Sequence, residues 1–133
     1  MKSDTKCKPP GSERIFVYGT LRRDGSNAHR LRDGHFVAPA SVRGRLYRIS
    51  WYPGIVLDPH GDPIHGELWD IPAAIMPELD AFEGPEYRRL QTAVAMHSDP
   101  PQTTNAWLWE WLHPTDHLTR IPHGDWLAVD DSD

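Results

Sequence analysis

The eight residues NAWLWEWL at positions 105–112 alternate in character, and this constrains the chain more than any other feature. A two-residue period sends Trp107, Trp109 and Trp111 to one face of a strand, whereas a helix would split them between opposite sides. Residues 87–96 (YRRLQTAVAM) carry the same period ahead of a polar loop at 98–103, so the two runs read as antiparallel strands. Upstream, residues 38–50 alternate around Val42, Gly44, Leu46 and Arg48. The segment Trp51, Tyr52, Pro53, Gly54 breaks that pattern, and Ile55, Val56 and Leu57 resume it. The turn chemistry of DPHGD at 58–62 then leads into a returning strand at 64–71 (IHGELWDI). Near the start, Ile15, Phe16, Val17 and Tyr18 form a β-branched and aromatic run closed by Gly19, the signature of a buried strand entering a tight loop.

Helical spacing is scarce. Ile75, Leu79 and Phe82 lie on one stripe of residues 73–82, with Pro72 and Pro77 confined to the first turns and Gly84 and Pro85 as the stop. Ser26 or Asn27 can cap a brief helix through residues 29–32 that ends at Gly34. Many short strands around one or two short helices predict the α+β class, a small, mostly antiparallel sheet curled into a β-barrel. The 133 residues suit one domain. Residues 1–13 read as a disordered leader, 14–128 as the folded domain and 129–133 as an acidic tail.

Charge and composition narrow the function classes. A net charge of −5 argues against a phosphate-backbone binder, so no nucleic-acid partner is expected. No apolar run approaches the ~18 residues of a membrane span, and the start lacks the apolar core of a signal peptide, so the reading is cytoplasmic with no membrane partner. Cys7 is the sole cysteine and lies in the polar leader, which excludes an internal disulfide and places it poorly for nucleophilic chemistry. The eight histidines raise the question of metal. His113 and His117 are four apart, but Pro114 and Asp116 lie between them in a loop and no third ligand follows at a recognisable spacing, so no metal is assigned. His60 and His65 flank a turn. No G-x-S-x-G elbow supports a serine hydrolase, and Glu83 with Glu86 on a loop says little about the carboxylate separation a glycosidase needs.

Three segments spend awkward residues where a plain core would not. In Tyr18, Gly19, Thr20, Leu21, Arg22, a glycine after a buried strand lets successive backbone N–H groups form a concave anion site. In DAFEG at 80–84, Glu83 lies at the rim of the helix's apolar stripe, where partial burial raises a carboxyl pKa. Tyr87, Arg88 and Arg89 open the next strand. By residue chemistry alone a plain turn is the stronger reading of the first segment and a solvated glutamate that of the second, so the chemistry stays undecided at this point. The tryptophan face is also open to reading as a stacking platform.

The ordered set FVYGTLRRDGSNAHRL, YPGIV, HGELWDI, LDAFEGPEYRR and IPHGDWL, spread from about Arg14 to Leu127, resembles the gamma-glutamylcyclotransferase-like family. The resemblance implies a small β-barrel with short helices and a pocket between the YGTL loop and the helix that carries the FEG glutamate. The backbone N–H groups of Tyr18, Gly19, Thr20 and Leu21 would hold the α-carboxylate of a γ-glutamyl group. Glu83 would be the general acid/base, and Tyr87 would contribute a hydroxyl. Arg22, Tyr52, Pro53 and Gly54 would line the pocket. The implied reaction needs no cofactor: the α-amino nitrogen of a small-molecule γ-glutamyl amine or amino acid attacks its own γ-carbonyl, giving 5-oxoproline and the free amine. An ordinary glutamate, with a pKa near ~4.3, is a poor base for this, so Glu83 is expected to be partly buried. The rival reading keeps the pocket without catalysis, as a binding module for a small acidic metabolite or a chain terminus.

Overall fold

The structure is a computed structural model, and it describes residues 11–128. The expected leader up to residue 10, with Cys7, and the expected acidic tail 129–133 lie outside the described residues. Seven strands are described: β1 (Ser12–Val17), β2 (His35–Arg48), β3 (Pro53–Leu57), β4 (Asp62–Pro72), β5 (Tyr87–Met96), β6 (Gln102–Trp111) and β7 (Thr119–Arg120). One α-helix, α1 (Met76–Glu83), follows β4. Short 3-10 turns occupy Ala28–Leu31, Ala73–Ile75 and Trp126–Ala128.

Hydrogen bonding runs β2–β4–β1–β6–β5 and returns to β2, which closes a five-stranded barrel; β3 and β7 pair with the far end of β2. Most neighbours are antiparallel, as the alternating runs predict. The exception is β1 against β6, parallel at Ile15 and Trp107, which makes the barrel mixed. The closing contact is short, Ala40 with Met96 and Ser41 with Ala95. The 14-residue β2 serves both closure and the outer β3 strand, and a register irregularity between Phe36 and Ala38 bends it early in its course.

Alternation along the strands sorts side chains into two cores. Phe16 on β1 and Tyr18 just after it, Leu68 on β4 and Ala106 and Leu108 on β6 belong to the barrel core. Ile15, Val17 and Trp109 point out and are covered by α1 through Met76 and Leu79, with Leu21, Leu31 and Ile71 completing the layer. The tryptophan face is therefore packing: Trp109 and Trp111 are buried, and Trp107 packs against the outer core. Each fully buried large side chain contributes roughly 1.5–3 kcal/mol.

Several boundaries move. β1 begins two residues before the expected Arg14, because Ser12 and Glu13 pair with Pro72 and Ile71. Pro53 and Gly54, read as a break, open β3 opposite Arg48 and Tyr47. A proline is tolerated there because the first residue of a strand need not donate. The expected helix at 73–82 divides into a 3-10 turn and α1, with a proline in the first turn of α1, and extends by one residue to include Glu83. Strand β7 and the turn at Trp126 carry too little periodicity to be read from sequence. Among the described residues, no helix is long and apolar enough to cross a membrane.

Candidate active site

A cavity of about 230 Å3 opens where the end of β1, the start of β3, the end of α1 and the start of β5 meet. Its floor comes from Phe16, Val17 and Tyr18, and Trp109 closes it beneath the helix. The loop after β1 forms one wall. Gly19 is required there by space: a Cβ at this position would lie 2.7 Å from Pro53 Cγ and 2.9 Å from its Cδ. The loop turns tightly, with the Arg22 amide donating to the Gly19 carbonyl at 3.1 Å. Asn27 then holds Thr20 twice, through its backbone amide to the Thr20 carbonyl (2.8 Å) and through Nδ2 to Oγ1 (3.1 Å). Among the described residues, no acceptor takes the amide hydrogens of Gly19, Thr20 or Leu21. Three consecutive donors on a fixed turn beside an apolar floor make a carboxylate-sized nest.

The loop is anchored from below by Glu67 of β4, a buried carboxylate. It accepts from the Arg23 amide at 2.9 Å and from Trp69 Nε1 at 3.0 Å, and lies 3.6 Å from Arg22 Nε. Arg22 itself, expected in the pocket, turns away: its Nη1 bonds Asp125 at 2.6 Å, tying the loop to the C-terminal segment. Gly54, also expected in the lining, is buried in β3, where a Cβ would meet Trp111 Cβ at 3.0 Å. Neither residue is part of the cavity lining: Arg22 ties the loop to Asp125, and Gly54 packs behind the wall. Tyr18, Gly19, Thr20, Leu21, Tyr52, Pro53, Glu83 and Tyr87 do converge on the one cavity.

Glu83 ends α1, and Gly84 at φ +84° takes the chain away from the helix at once. Among the described residues its carboxylate has no hydrogen-bond or ion-pair partner, and burial first, then the negative charge of Asp80, push its pKa from 4.5 to about 7. Asp80 is one turn earlier on the same helix and is held from both neighbouring strands, by Trp109 Nε1 at 2.9 Å and Arg89 Nε at 3.1 Å. Tyr87 donates its hydroxyl to the Pro53 carbonyl at 2.6 Å, joining the start of β5 to the start of β3. Tyr18 donates to the Trp109 carbonyl at 2.8 Å and accepts from the Ile55 amide at 3.2 Å. Burial drives both phenols well above their ordinary range, so neither serves as a base near neutrality.

Glu67 and Asp80 support the site and Trp51 and Glu86 line the cavity; from sequence Glu86 was weighed only with Glu83 as a glycosidase pair, and the other three were given no role. A carboxylate amid the buried residues of a strand is the signal for Glu67. For Asp80 the signal is its position three residues before Glu83, which stacks the two on one helical face. His113 packs edge-on against Trp111, with ring centroids 5.3 Å apart. Among the described residues, no three His, Cys, Asp or Glu side chains gather in a metal-binding group.

Comparison with known proteins places the chain in a family. The family described as gamma-glutamyl cyclotransferase, AIG2-like, matches residues 15–128. The gamma-glutamylcyclotransferase family protein YtfP of Escherichia coli K12 is 36% identical over 122 residues, covering 88% of this chain and 98% of its own length. The gamma-glutamylaminecyclotransferase of Bos taurus is 30% identical over 118 residues, covering 74% of this chain and 70% of its own. Among solved structures, an AIG2-like protein of Mus musculus shares the fold at a TM-score of 0.73 and 20% identity, over 90% of this chain and 97% of that one. The protein described here belongs to the gamma-glutamyl cyclotransferase, AIG2-like family.

Proposed function

We propose that this protein closes the γ-glutamyl group of a γ-glutamyl amine or γ-glutamyl amino acid on itself, forming 5-oxoproline and releasing the amine, with Glu83 as general acid/base. The observation that carries this reading is the pairing, in one cavity, of an unpartnered carboxyl poised near neutrality with a nest of free backbone amides. The amides of Gly19, Thr20 and Leu21 bind the substrate α-carboxylate and fix the end of the molecule from which attack begins. Both reacting atoms belong to one substrate, so holding the folded-back conformer removes much of the entropic part of the barrier.

The proton balance assigns Glu83 its task. The α-ammonium, with a pKa near ~8, carries three protons and the lactam nitrogen keeps one. The bond from the γ-carbon to the leaving nitrogen breaks as the bond to the α-nitrogen forms, and two protons pass from the attacking nitrogen to the departing one. No water is consumed. A carboxyl with a pKa of about 7 accepts and returns protons near neutral pH, which one at 4.5 does poorly. Tyr87 and Tyr18 stay protonated and hold the walls. Pro53, whose carbonyl accepts the Tyr87 hydroxyl, packs so closely on Gly19 that no Cβ would fit there.

Glu83→Gln keeps the size and polarity of the side chain and removes its proton chemistry. Release of 5-oxoproline from a panel of γ-glutamyl amines, γ-glutamyl amino acids and glutathione is expected to fall about 10²- to 10⁴-fold, with substrate binding by calorimetry retained. Turnover at the parental rate would remove Glu83 from the chemistry. Binding without release by the parental protein, for every member of the panel, would assign the cavity to ligand capture instead.

A further inference from the structure

The cavity has a charge pattern that the cyclisation itself does not require. The charged side chains lining it are Glu83 and Glu86, and no lysine, arginine or histidine is among the lining residues. Arg30 lies over the ring of Phe82 at 4.2 Å, but it is outside the lining and its Nε bonds Asn27. Arg89 and Arg88 are engaged with Asp80 and Glu110. The burial gradient orients a substrate within this field. Gly19, Thr20 and Leu21 are buried and Glu83 is half-buried, whereas Glu86 is exposed and Trp51 is 62% exposed. A γ-glutamyl head seated on the deep amides therefore points its leaving amine toward Trp51 and Glu86 at the mouth.

Those two side chains suit one kind of group. Trp51 is turned edge-to-face on Tyr52, with ring centroids 5.0 Å apart and planes at 82°, which keeps a large indole at the lip of the cavity. The Glu86 carboxylate has no hydrogen-bond or ion-pair partner among the described residues, while its backbone is fixed by the Leu112 amide on its carbonyl at 3.0 Å. An indole and an unpaired carboxylate together attract an ammonium, the first through its π-face and the second by charge. A leaving group bearing a carboxylate, as in a γ-glutamyl amino acid, meets the like charge of Glu86 at the mouth and no cation in the lining.

We infer that the mouth of this cavity selects γ-glutamyl derivatives whose leaving amine carries a second, cationic group, held by the Trp51 indole and the Glu86 carboxylate. The inference rests on the cyclotransferase reading and narrows its substrate to γ-glutamyl conjugates of diamines and longer polyamines. The cation is released with the amine and takes no part in the bond changes.

Three probes with one head and one chain length test it: N-(γ-glutamyl)-1,4-diaminobutane, N-(γ-glutamyl)butylamine and N-(γ-glutamyl)-4-aminobutyrate, whose tails are cationic, neutral and anionic. For the parental protein, kcat/KM for 5-oxoproline release is expected to fall in that order, by roughly tenfold or more from first to last, with the spread shrinking as salt is added. Trp51→Ala and Glu86→Gln are each expected to lower the cationic-to-neutral ratio roughly two- to fivefold. The same order is expected in Kd measured by calorimetry on Glu83→Gln, a reading that does not depend on turnover. Equal or reversed preference in both measurements overturns the selectivity, as do mouth variants that leave the cationic-to-neutral ratio unmoved. Absence of 5-oxoproline from all three probes overturns the cyclotransferase reading instead, and the Kd order still decides the selectivity.

Discussion

Glu83 is the residue at which function and stability pull against each other. Its folded-state pKa of about 7 lies above the 4.5 of an exposed glutamate, so between those values the folded protein holds a proton that the unfolded chain has lost. Stability from this group is fully present below pH 4.5, falls as the pH rises through that window, and levels off above 7. Discounted for its partial exposure to solvent, the cost at pH 8 is on the order of 1–3 kcal/mol. Glu83→Gln relieves it, so the variant is expected to melt about 5 °C higher than the parent at pH 8 and at nearly the same temperature at pH 4.5. Scanning calorimetry at the two pH values checks this, and an equal difference at both would mean that the gain is not electrostatic. At this scale the sequence was informative in part. Partial burial of Glu83 follows from its place on the edge of an apolar stripe, whereas the neighbours that tune it come from strands distant in sequence.

The last two turns of α1 show why that tuning belongs to an element and not to one side chain. The helix is eight residues long, too short to persist alone, and it is fixed by Leu79 and Met76 beneath it and by Asp80 at its side. Asp80 receives Trp109 from β6 and Arg89 from β5, so one carboxylate sets the end of the helix against both strands of a hairpin. Asp80→Asn keeps an oxygen for the Trp109 indole and removes the charge that raises Glu83. The acid limb of the pH profile of kcat/KM, expected near pH 7 in the parent, should move to lower pH while staying above the range of an exposed glutamate, because burial is the larger cause. An unmoved limb would separate Asp80 from Glu83. The alternating runs and the apolar stripe made strands and helix legible, because side-chain periodicity is local. Pro53 and Gly54 misled for a related reason: the local signal for a break is strong, and only pairing with β2 turns that segment into a strand, with Pro53 packed beside Gly19.

Across the whole molecule, closure was the feature that sequence pattern could not specify. Period two shows that strands exist and which residues share a face, but not that β1 lies parallel to β6 or that two rungs between β2 and β5 complete the circle. Closure is also what creates two cores, since the barrel fills with one face of each strand and leaves the other for the helix. Arg14 and Asp70 were equally illegible, a buried bidentate pair with bonds of 2.7 and 2.8 Å that joins β1 to β4. The two-core arrangement separates stability from activity in a way that can be measured. Leu68 inside the barrel and Leu79 under α1 are both almost fully buried, at 0% and 2% exposure, so truncating either to alanine is expected to cost about 2–5 kcal/mol. Their effects on turnover should differ. Leu68→Ala leaves a void inside the barrel, away from the helix that carries Glu83, and kcat measured well below its melting temperature should stay within about threefold of the parent. Leu79→Ala removes the seat of the helix itself, so Glu83 loses its fixed position and kcat should fall by more than about tenfold at equal folded fraction. Denaturant titration supplies the first comparison and 5-oxoproline release the second. If the two variants lost activity equally at matched stability, the outer core would be holding the fold together without holding the Glu83 carboxyl in place.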